Sequence, residues 1–206
     1  MNTTAAYRAP FAVKAAKGPT ILLNSGFYFD LLDPAGSRFT LGDIAHGLSN
    51  TCRFAGQCER FYSVAEHCWH ASRIAPVELR LAALMHDAAE AFIGDVTRPL
   101  KSLLPEYKAI EKSIEAVIFD RFGLGELCHD PRVKHVDLTM LDAEQRNFMP
   151  RHDDTWTTSA GIEPVDIKFH SWTPIEAKTR FLSRFESLAG TYPVESLEYW
   201  KGGIRG

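Results

Sequence analysis

Apolar residues recur every three or four positions through most of the chain after Phe61, and this period predicts helices. The segment 105–123 is typical, because Ile110, Ile114 and Ile118 fall on one face and Gly123 provides a stop signal. The same criteria predict helices over 62–74, 76–93, 130–149 and 173–188. They leave a long polar and aromatic loop between Pro150 and Ser171.

The first part of the chain has a different pattern. Residues 1–20 show no clear period and are interpreted as a loose arm. The apolar and aromatic content of 21–34 suits short strands that end at the turn signal of residues 33–36. A short helix over 40–50 follows, with Thr40 and Asp43 as a capping box. The pattern therefore predicts an all-α domain over 21–206 that starts with a short irregular or β-containing segment.

Composition narrows the class of protein. The chain has 206 residues, enough for one domain, and a formal net charge of −3, which argues against binding to a nucleic-acid polymer. No apolar run reaches about 18 residues, so no membrane span is expected. The four cysteines form no CxxC pair and nothing indicates export. We interpret them as reduced thiols and expect a cytoplasmic protein.

The run LMHDAAEAFIGD, residues 84–95, interrupts an otherwise apolar helix with His86, Asp87, Glu90 and Asp95. Residues four apart share a helical face, so His86 and Glu90 are predicted to point the same way, with Asp87 beside them. An imidazole next to carboxylates suits a divalent metal of borderline hardness, such as Mn, Co, Zn or Fe. The run is therefore a candidate metal site.

Two ligands are too few to hold a catalytic metal, so other segments should supply more. His67 lies nineteen positions before His86, and a turn near Pro76 would bring two antiparallel helices together. A carboxylate from a later helix would complete the site, and both Asp137 and Asp142 are possible. His70, three positions after His67, is interpreted as a partly buried structural histidine.

Three motifs of this chain closely resemble the HD-domain metal-dependent phosphohydrolases: AEH at 65–67, HDAAEAFIGD at 86–95 and VKHVD at 133–137. The similarity spans roughly residues 25–150 and is to the small bacterial 5′-deoxynucleotidases and the phage dATP triphosphohydrolases of that superfamily. The order H…HD…D on successive helices is much more specific than a lone HD pair. The resemblance implies a single HD-domain helical bundle.

The resemblance also implies a role for each polar residue of the motifs. Asp137 is preferred over Asp142, because in the family the last Asp of the motif is preceded by residues similar to 133–136 of this chain. Glu90 would position or deprotonate a water, and Asp95 would contact the leaving group and the sugar. The implied ligands of one divalent transition metal are His67, His86, Asp87 and Asp137.

Positive charge is needed to stabilise a phosphoryl transition state. Arg53 is the candidate for binding the substrate phosphate, because relatives have an Arg upstream of the first His, and Lys101 is a second candidate. Further cations close to the motifs are Arg60, Arg73 and Arg98. Mg could enter with the substrate phosphates, and relatives imply a homo-oligomer.

The expected function is hydrolysis of a (deoxy)nucleotide phosphate ester, with a 5′-deoxynucleoside monophosphate as the preferred substrate. Triphosphate release from a dNTP of the dATP type stays open, because both reactions use the same metal site. Hydrolysis of guanosine tetraphosphate fits the ligands as well, although the shorter chain and the AEAFIGD context favour nucleotidases. A non-catalytic nucleotide sensor is disfavoured, since every implied ligand is present.

Overall fold

Two short strands and nine α-helices are found in the part of the chain that the computed structural model describes, residues 18–154, 156–157 and 161–190. Two 3₁₀ turns, Phe54–Gly56 and Val77–Leu79, lie between them. In chain order the elements are β1 Thr20–Leu22, β2 Tyr28–Asp30, α1 Leu41–Asn50, α2 Val64–Ile74, α3 Arg80–Met85, α4 Glu90–Ile93, α5 Arg98–Ser102, α6 Pro105–Arg121, α7 Gly125–Cys128, α8 Pro131–Phe148 and α9 Pro174–Ala189.

The strands form an antiparallel hairpin in which Ile21 pairs with Phe29. Phe29 is buried and stacks on Phe92 of α4 at 4.1 Å between ring centroids, which fixes the hairpin to the helices. The mainly helical fold with a small β-containing start is thus confirmed. Most of the predicted arm, residues 1–17, lies outside the described residues, and β1 already begins at Thr20.

Local signals placed most helix ends correctly. Thr40 and Asp43 form a capping box at the start of α1, and Thr173 and Glu176 form another at α9. Asp130 accepts a hydrogen bond from the backbone N–H of Arg132 and caps α8. The predicted loop between α8 and α9 has no helix or strand in its described residues.

The prediction of one continuous helix over 76–93 is wrong. A 3₁₀ turn leads into α3, and residues 86–89 form turns before α4. The Nδ1 atom of His86 lies 2.8 Å from the carbonyl oxygen of Ala83, which would accept the N–H of Asp87 in a regular helix. Amides of the turn bond three residues back instead, as when Glu90 donates to Asp87. The polar run is therefore wound more tightly than predicted.

Helices α1, α2, α4 and α9 pack around the main hydrophobic core. The contact of α1 with α4 requires a glycine, because a Cβ on Gly47 would lie 2.5 Å from the carbonyl oxygen of Ala91. Helices α3 and α8 pack beside α2 and against each other, so side chains from all three helices can meet in one place. Within the described ranges, no helix combines the length and the apolar character that a membrane span requires.

Candidate metal centre

His67 is held in a fixed orientation by α2 and α8. Ser63 caps α2 by accepting the N–H of Glu66, and His67 follows in the first turn with no exposed surface. Its Nδ1 lies 2.5 Å from Oε1 of Glu144, a fully buried carboxylate of α8. With Nδ1 donating to that carboxylate, Nε2 is the nitrogen with a free lone pair, as in carboxylate–histidine–metal arrangements.

His86 is oriented by the backbone of α3. Its Nδ1 donates to the carbonyl of Ala83, so Nε2 again has the free lone pair. The two Nε2 atoms of His67 and His86 lie 3.2 Å apart. Two lone pairs at this distance repel each other unless a proton or a metal ion lies between them, so the histidines favour a positive charge at this point.

Two carboxylates complete the cluster. Oδ2 of Asp87 lies 3.4 Å from Nε2 of His67 and 3.3 Å from Nε2 of His86. Oδ1 of Asp137 lies 3.5 Å and 3.8 Å from the same two atoms. Two nitrogens and two carboxylate oxygens suit a borderline divalent cation. The four residues implied as ligands by the sequence are thus brought together.

Electrostatics at this point favour positive charge. Burial alone would lower the pKa of His86, but Asp87 and Asp137 raise it well above its usual value. Burial likewise opposes ionisation of Asp137, yet His86, His67 and Lys134 hold its pKa well below the usual range. The cluster therefore stabilises an ionised carboxylate beside a cationic partner, which a metal ion can replace.

The choice between Asp137 and Asp142 is decided by their partners. Asp142 lies elsewhere on α8, where it accepts hydrogen bonds from Arg146 at 2.8 Å and from Thr157 at 3.1 Å. Asp137 reaches the histidines and also pairs with Lys134, whose Nζ lies 2.5 Å from Oδ2. Asp142 is therefore outside the cluster.

Glu144 is the residue of the site that the sequence analysis missed. Besides His67 it accepts a hydrogen bond from the hydroxyl of Tyr62 at 2.8 Å and from Nε of Arg53 at 3.2 Å. Burial opposes its ionisation, but Arg53 and His67 lower the pKa of Glu144. It follows Asp137 by seven residues, two turns of α8, so its position on the same helical face was a usable signal.

Arg53 lies inside the site and joins two of its carboxylates. It is buried, its Nη2 lies 3.1 Å from Glu144 and its Nη1 lies 3.5 Å from Asp87. Burial would lower its pKa, but Glu144, Asp95 and Asp87 raise it well above the usual value. Arg53 therefore lies beside the predicted ligand Asp87, with its guanidinium already shared between carboxylates.

Glu90 is buried beside the cluster, and its Oε2 atom has no hydrogen-bond partner among the described residues. Burial, followed by the charges of Asp87 and Asp95, raises the pKa of Glu90 well above its usual value. The raised pKa makes the carboxylate of Glu90 a stronger proton acceptor than an exposed glutamate.

Asp95 follows Gly94, whose φ of 78° turns the chain out of α4. Its Oδ2 accepts the backbone N–H of Phe54 at 3.3 Å. Phe54 and Ala55 have left-handed φ values of 56° and 53°, and this strained turn places Arg53 and Asp95 side by side. Asp95 therefore lies at the edge of the cluster next to the predicted phosphate-binding arginine.

Lys101 of α5 contributes a second cation near Glu90, but its Nζ pairs with Oε1 of Glu111 at 2.6 Å. A further carboxyl group of α6, Glu115, was not identified from the sequence. Burial, then Glu111 and Asp87, raise the pKa of Glu115 to about 7. The wall of the site formed by α6 is therefore acidic.

The residues described contain a second group with metal-ligand geometry, formed by Cys68, His86 and Asp87. It shares two residues with the first cluster. Burial raises the pKa of Cys68 to about 11, so its sulfur is a protonated thiol when no metal is bound. All four cysteines are free, in agreement with the sequence analysis.

Fold and site together define a mainly helical protein with a partly buried cluster of two histidines and two aspartates that could hold a metal ion. The chain is 40% identical over 164 residues to the uncharacterized protein YfdR of Escherichia coli K12, covering 79% of this chain and 90% of YfdR. It is 37% identical over 136 residues to the uncharacterized protein RCAP_rcc00048 of Rhodobacter capsulatus, covering 59% of this chain and 69% of that protein. The chain therefore belongs to the family of YfdR. No family model matches the chain.

Proposed function

We propose that this protein is an HD-domain phosphohydrolase that uses one divalent metal ion to hydrolyse a (deoxy)nucleotide phosphate ester, with 5′-deoxynucleoside monophosphates as its substrates. One observation carries the proposal: the Nε2 atoms of His67 and His86 face each other at 3.2 Å, with oxygens of Asp87 and Asp137 within 3.8 Å. These four residues would hold the metal.

The charge of the site supports a metal-dependent reaction on an anionic substrate. Carboxylates outnumber the neighbouring cations Arg53, Lys101 and Lys134, and all three cations contact a carboxylate. A phosphate would be repelled from such a site unless an added cation reversed the local charge. When bound, the divalent ion supplies that charge, polarises the phosphoryl group and acidifies a water.

Glu90 and Asp95 handle protons in this proposal. Within the described ranges no group forms a hydrogen bond with Oε2 of Glu90, and the raised pKa of Glu90 suits a general base that takes a proton from the attacking water. Asp95 lies beside Arg53 at the edge of the cluster, where it can contact the sugar, receive the proton from Glu90 and pass it to the leaving 5′-oxygen.

Arg53 would stabilise the charge that develops on the phosphoryl oxygens. Its guanidinium is fixed by Glu144 and reaches towards Asp87, so it is preorganised next to the metal ligands. Lys101 would add a second cation from α5, close to Glu90.

The placement of two of the further cations, Arg60 and Arg73, favours a single phosphate group. Arg60 contacts Ser171 at 2.7 Å and lies over the ring of Phe148, and Arg73 lies over the ring of Trp69. Both are thus engaged away from the metal cluster. Arg53 and Lys101 near Glu90 suffice for a monophosphate, whereas a triphosphate chain needs more positive charge.

The test is a phosphate-release and triphosphate-release screen over dNMPs and dNTPs with Mn, Co, Zn and Mg. Asp87→Ala should remove both metal and turnover, and Glu90→Ala should keep the metal and lose rate. Asp142→Ala is the matched control, because it removes an aspartate of α8 outside the cluster, and it should retain both.

Each alternative gives a different result in the same screen. Triphosphate release from dATP alone would indicate a dNTP triphosphohydrolase. Pyrophosphate release from guanosine tetraphosphate would indicate a guanosine tetraphosphate hydrolase. Stoichiometric metal binding without any turnover would indicate a nucleotide sensor. Full phosphate release after chelation and dialysis would refute the metal-dependent hydrolase.

A further inference from the structure

Arg53, Phe54 and Trp156 form a planar row that leads outward from the candidate metal centre. Nη1 of Arg53 lies 3.5 Å from Asp87, and the guanidinium carbon lies 5.3 Å from the ring centroid of Phe54. The centroids of the Phe54 and Trp156 rings are 5.8 Å apart, with the ring planes tilted by 45°. Arg53 is buried, Phe54 is half-buried and Trp156 is 40% exposed, so the row opens to solvent at Trp156.

Trp156 is held in this row by α8. Gln145 is a buried residue of that helix, and its Oε1 accepts the backbone N–H of Trp156 at 3.1 Å. Its Nε2 donates to the carbonyl oxygen of Asp154 at 2.7 Å. A buried side-chain amide that pairs with two backbone groups of one segment fixes that segment against the helix. The position of Trp156 is therefore set by the helix that also carries Asp137.

Phe54 is held in the row by a strained turn. Phe54 and Ala55 have left-handed φ values of 56° and 53°, which are uncommon for residues other than glycine. The backbone N–H of Phe54 donates to Oδ2 of Asp95 at 3.3 Å. The turn thus places the Phe54 ring beside Arg53 and the Asp95 carboxylate beside the Phe54 backbone. Backbone strain of this kind clusters at functional sites, which favours a functional role for the Phe54 ring.

The row changes in polarity along its length. Its inner end has the charges of Arg53 and Asp95, while its outer end is the indole of Trp156, with the ring of His152 at 5.7 Å between centroids. The planes of Phe54 and His152 are tilted by 45° and 31° to the indole, so neither ring is stacked flat on it. Among the residues described, no cation lies over the indole. Part of the indole surface is therefore open to a flat group of a ligand.

We propose that Trp156 contacts the base of the nucleotide substrate, with Phe54 as a second ring, and thereby makes the protein select nucleotides over other phosphate monoesters. This inference rests on the proposed function, which assigns the phosphate to Arg53 and the sugar to Asp95. Phosphate, sugar and base then follow the order of Arg53, Asp95 and the two rings. Every base has a π face, so stacking on an indole selects nucleotides as a class and not a single base.

The test is calorimetric binding of two ligands, dAMP and 2-deoxyribose 5-phosphate, in the presence of Mn²⁺. The two ligands share the phosphate and the sugar, and only dAMP has a base. The Glu90→Ala background is used, because its loss of rate leaves both ligands intact during the titration. Trp156→Ala in this background should raise the Kd of dAMP about tenfold and should leave the Kd of 2-deoxyribose 5-phosphate within about twofold.

Two further variants separate a base contact from a structural role of Trp156. Trp156→Phe keeps an aromatic ring, so the Kd of dAMP should stay within about threefold of that of the Glu90→Ala protein. Tyr28→Ala, which removes an exposed aromatic side chain of β2, is the matched control and should change neither Kd. If Trp156 only supported the turn of Phe54 and Arg53, its removal would weaken both ligands equally, because both share the phosphate.

An equal rise of both Kd values in Trp156→Ala, or no change in either, would overturn the base contact. Absence of dAMP binding to the Glu90→Ala protein would overturn it as well. Failure of the proposed hydrolysis gives a different pattern, in which the unmodified protein releases no phosphate from any dNMP while dAMP still binds in a manner that depends on Trp156. Hydrolysis of dNMPs together with a Kd of dAMP that Trp156→Ala leaves unchanged would refute the base contact alone.

Discussion

Helix α2 carries two buried histidines one turn apart, His67 and His70, and each lies beside a glutamate with no exposed surface. Glu144 of α8 contacts His67 at 2.5 Å, and Glu66 of α2 lies 3.6 Å from Nε2 of His70. By burial and residue type, the two pairs are nearly equivalent. Only one of them belongs to the candidate site.

The partners of the two glutamates explain the difference. Glu144 accepts hydrogen bonds from side chains of the site, those of His67, Tyr62 and Arg53. Glu66 accepts three backbone N–H groups, from residues 170–172, at 2.8–3.0 Å. Glu144 therefore orients a predicted metal ligand, whereas Glu66 fixes the loop that leads into α9.

The surroundings of the two imidazole rings complete the comparison. Nε2 of His67, the nitrogen that does not contact Glu144, faces Asp87, Asp137 and the Nε2 of His86, so three ligand atoms converge on it. Nε2 of His70 is the nitrogen that faces Glu66, it has no hydrogen-bond partner among the residues described, and the ring stacks near Trp172 at 5.9 Å. A buried histidine–glutamate pair is thus not a functional signal by itself, and the difference lies in the ligand atoms that converge on His67.

Replacing the two histidines in turn should give the largest difference in bound metal and in turnover. His67→Ala removes a predicted metal ligand, so bound metal should be lost and turnover should fall on the order of 10³-fold, or about 4 kcal/mol. His70→Ala should retain turnover within about threefold, since His70 is outside the cluster. Metal content and initial rates measured on both variants check the contrast, and equal losses in both would contradict it.

Replacing the two glutamates by glutamine should separate metal affinity from stability. Glu144→Gln weakens the acceptor of His67 and should lower metal affinity about 10–100-fold. Glu66→Gln disturbs three backbone hydrogen bonds and should lower the free energy of unfolding by about 1–3 kcal/mol. Calorimetric metal titration and urea denaturation of both variants measure the two quantities. The account would be wrong if Glu66→Gln lost metal affinity as Glu144→Gln does.

Tyr62→Phe, which changes a hydrogen bond to the His67–Glu144 pair, should have the smallest effect on metal affinity and folding stability. It removes one hydrogen bond to Glu144 in a fully buried position, at a cost of about 1 kcal/mol of folding stability. Metal affinity should fall only about two- to fivefold, because His67 still contacts Glu144. Tyr28→Phe, at an exposed tyrosine of β2, is the control and should leave both measurements unchanged. A loss as large as that of Glu144→Gln would show that Tyr62 does more than support Glu144.

Local signals explain what the sequence could predict of the fold. The starts of α1, α8 and α9 depend on caps made by residues within four positions of each other, and the predicted ranges 40–50, 130–149 and 173–188 agree with the observed helices to within one residue at each end. The break at residues 86–89 was missed, because the apolar period continues through it. Its cause is a side-chain bond from His86 to Ala83, which no periodicity reveals.

The residues of the candidate site that belong to motifs could be predicted from the sequence. Those that reach the site only through helix packing could not. His67, His86, Asp87 and Asp137 were proposed from their motifs, and the fold brings them together. Glu144 and Glu115 were missed, because each resembles a surface glutamate of a helix until the neighbouring helices are placed. The functional meaning of Glu144 depends on α8 packing against α2.

The central claim is that His67, His86, Asp87 and Asp137 bind one divalent metal ion. The most direct measurement is anomalous diffraction from crystals of the full chain grown with Mn²⁺ or Zn²⁺. The account predicts one strong peak per chain, about 2.0–2.2 Å from the Nε2 atoms of both histidines and from a carboxylate oxygen of each aspartate. A fully occupied metal elsewhere in the chain, with no peak between the two Nε2 atoms, would contradict it.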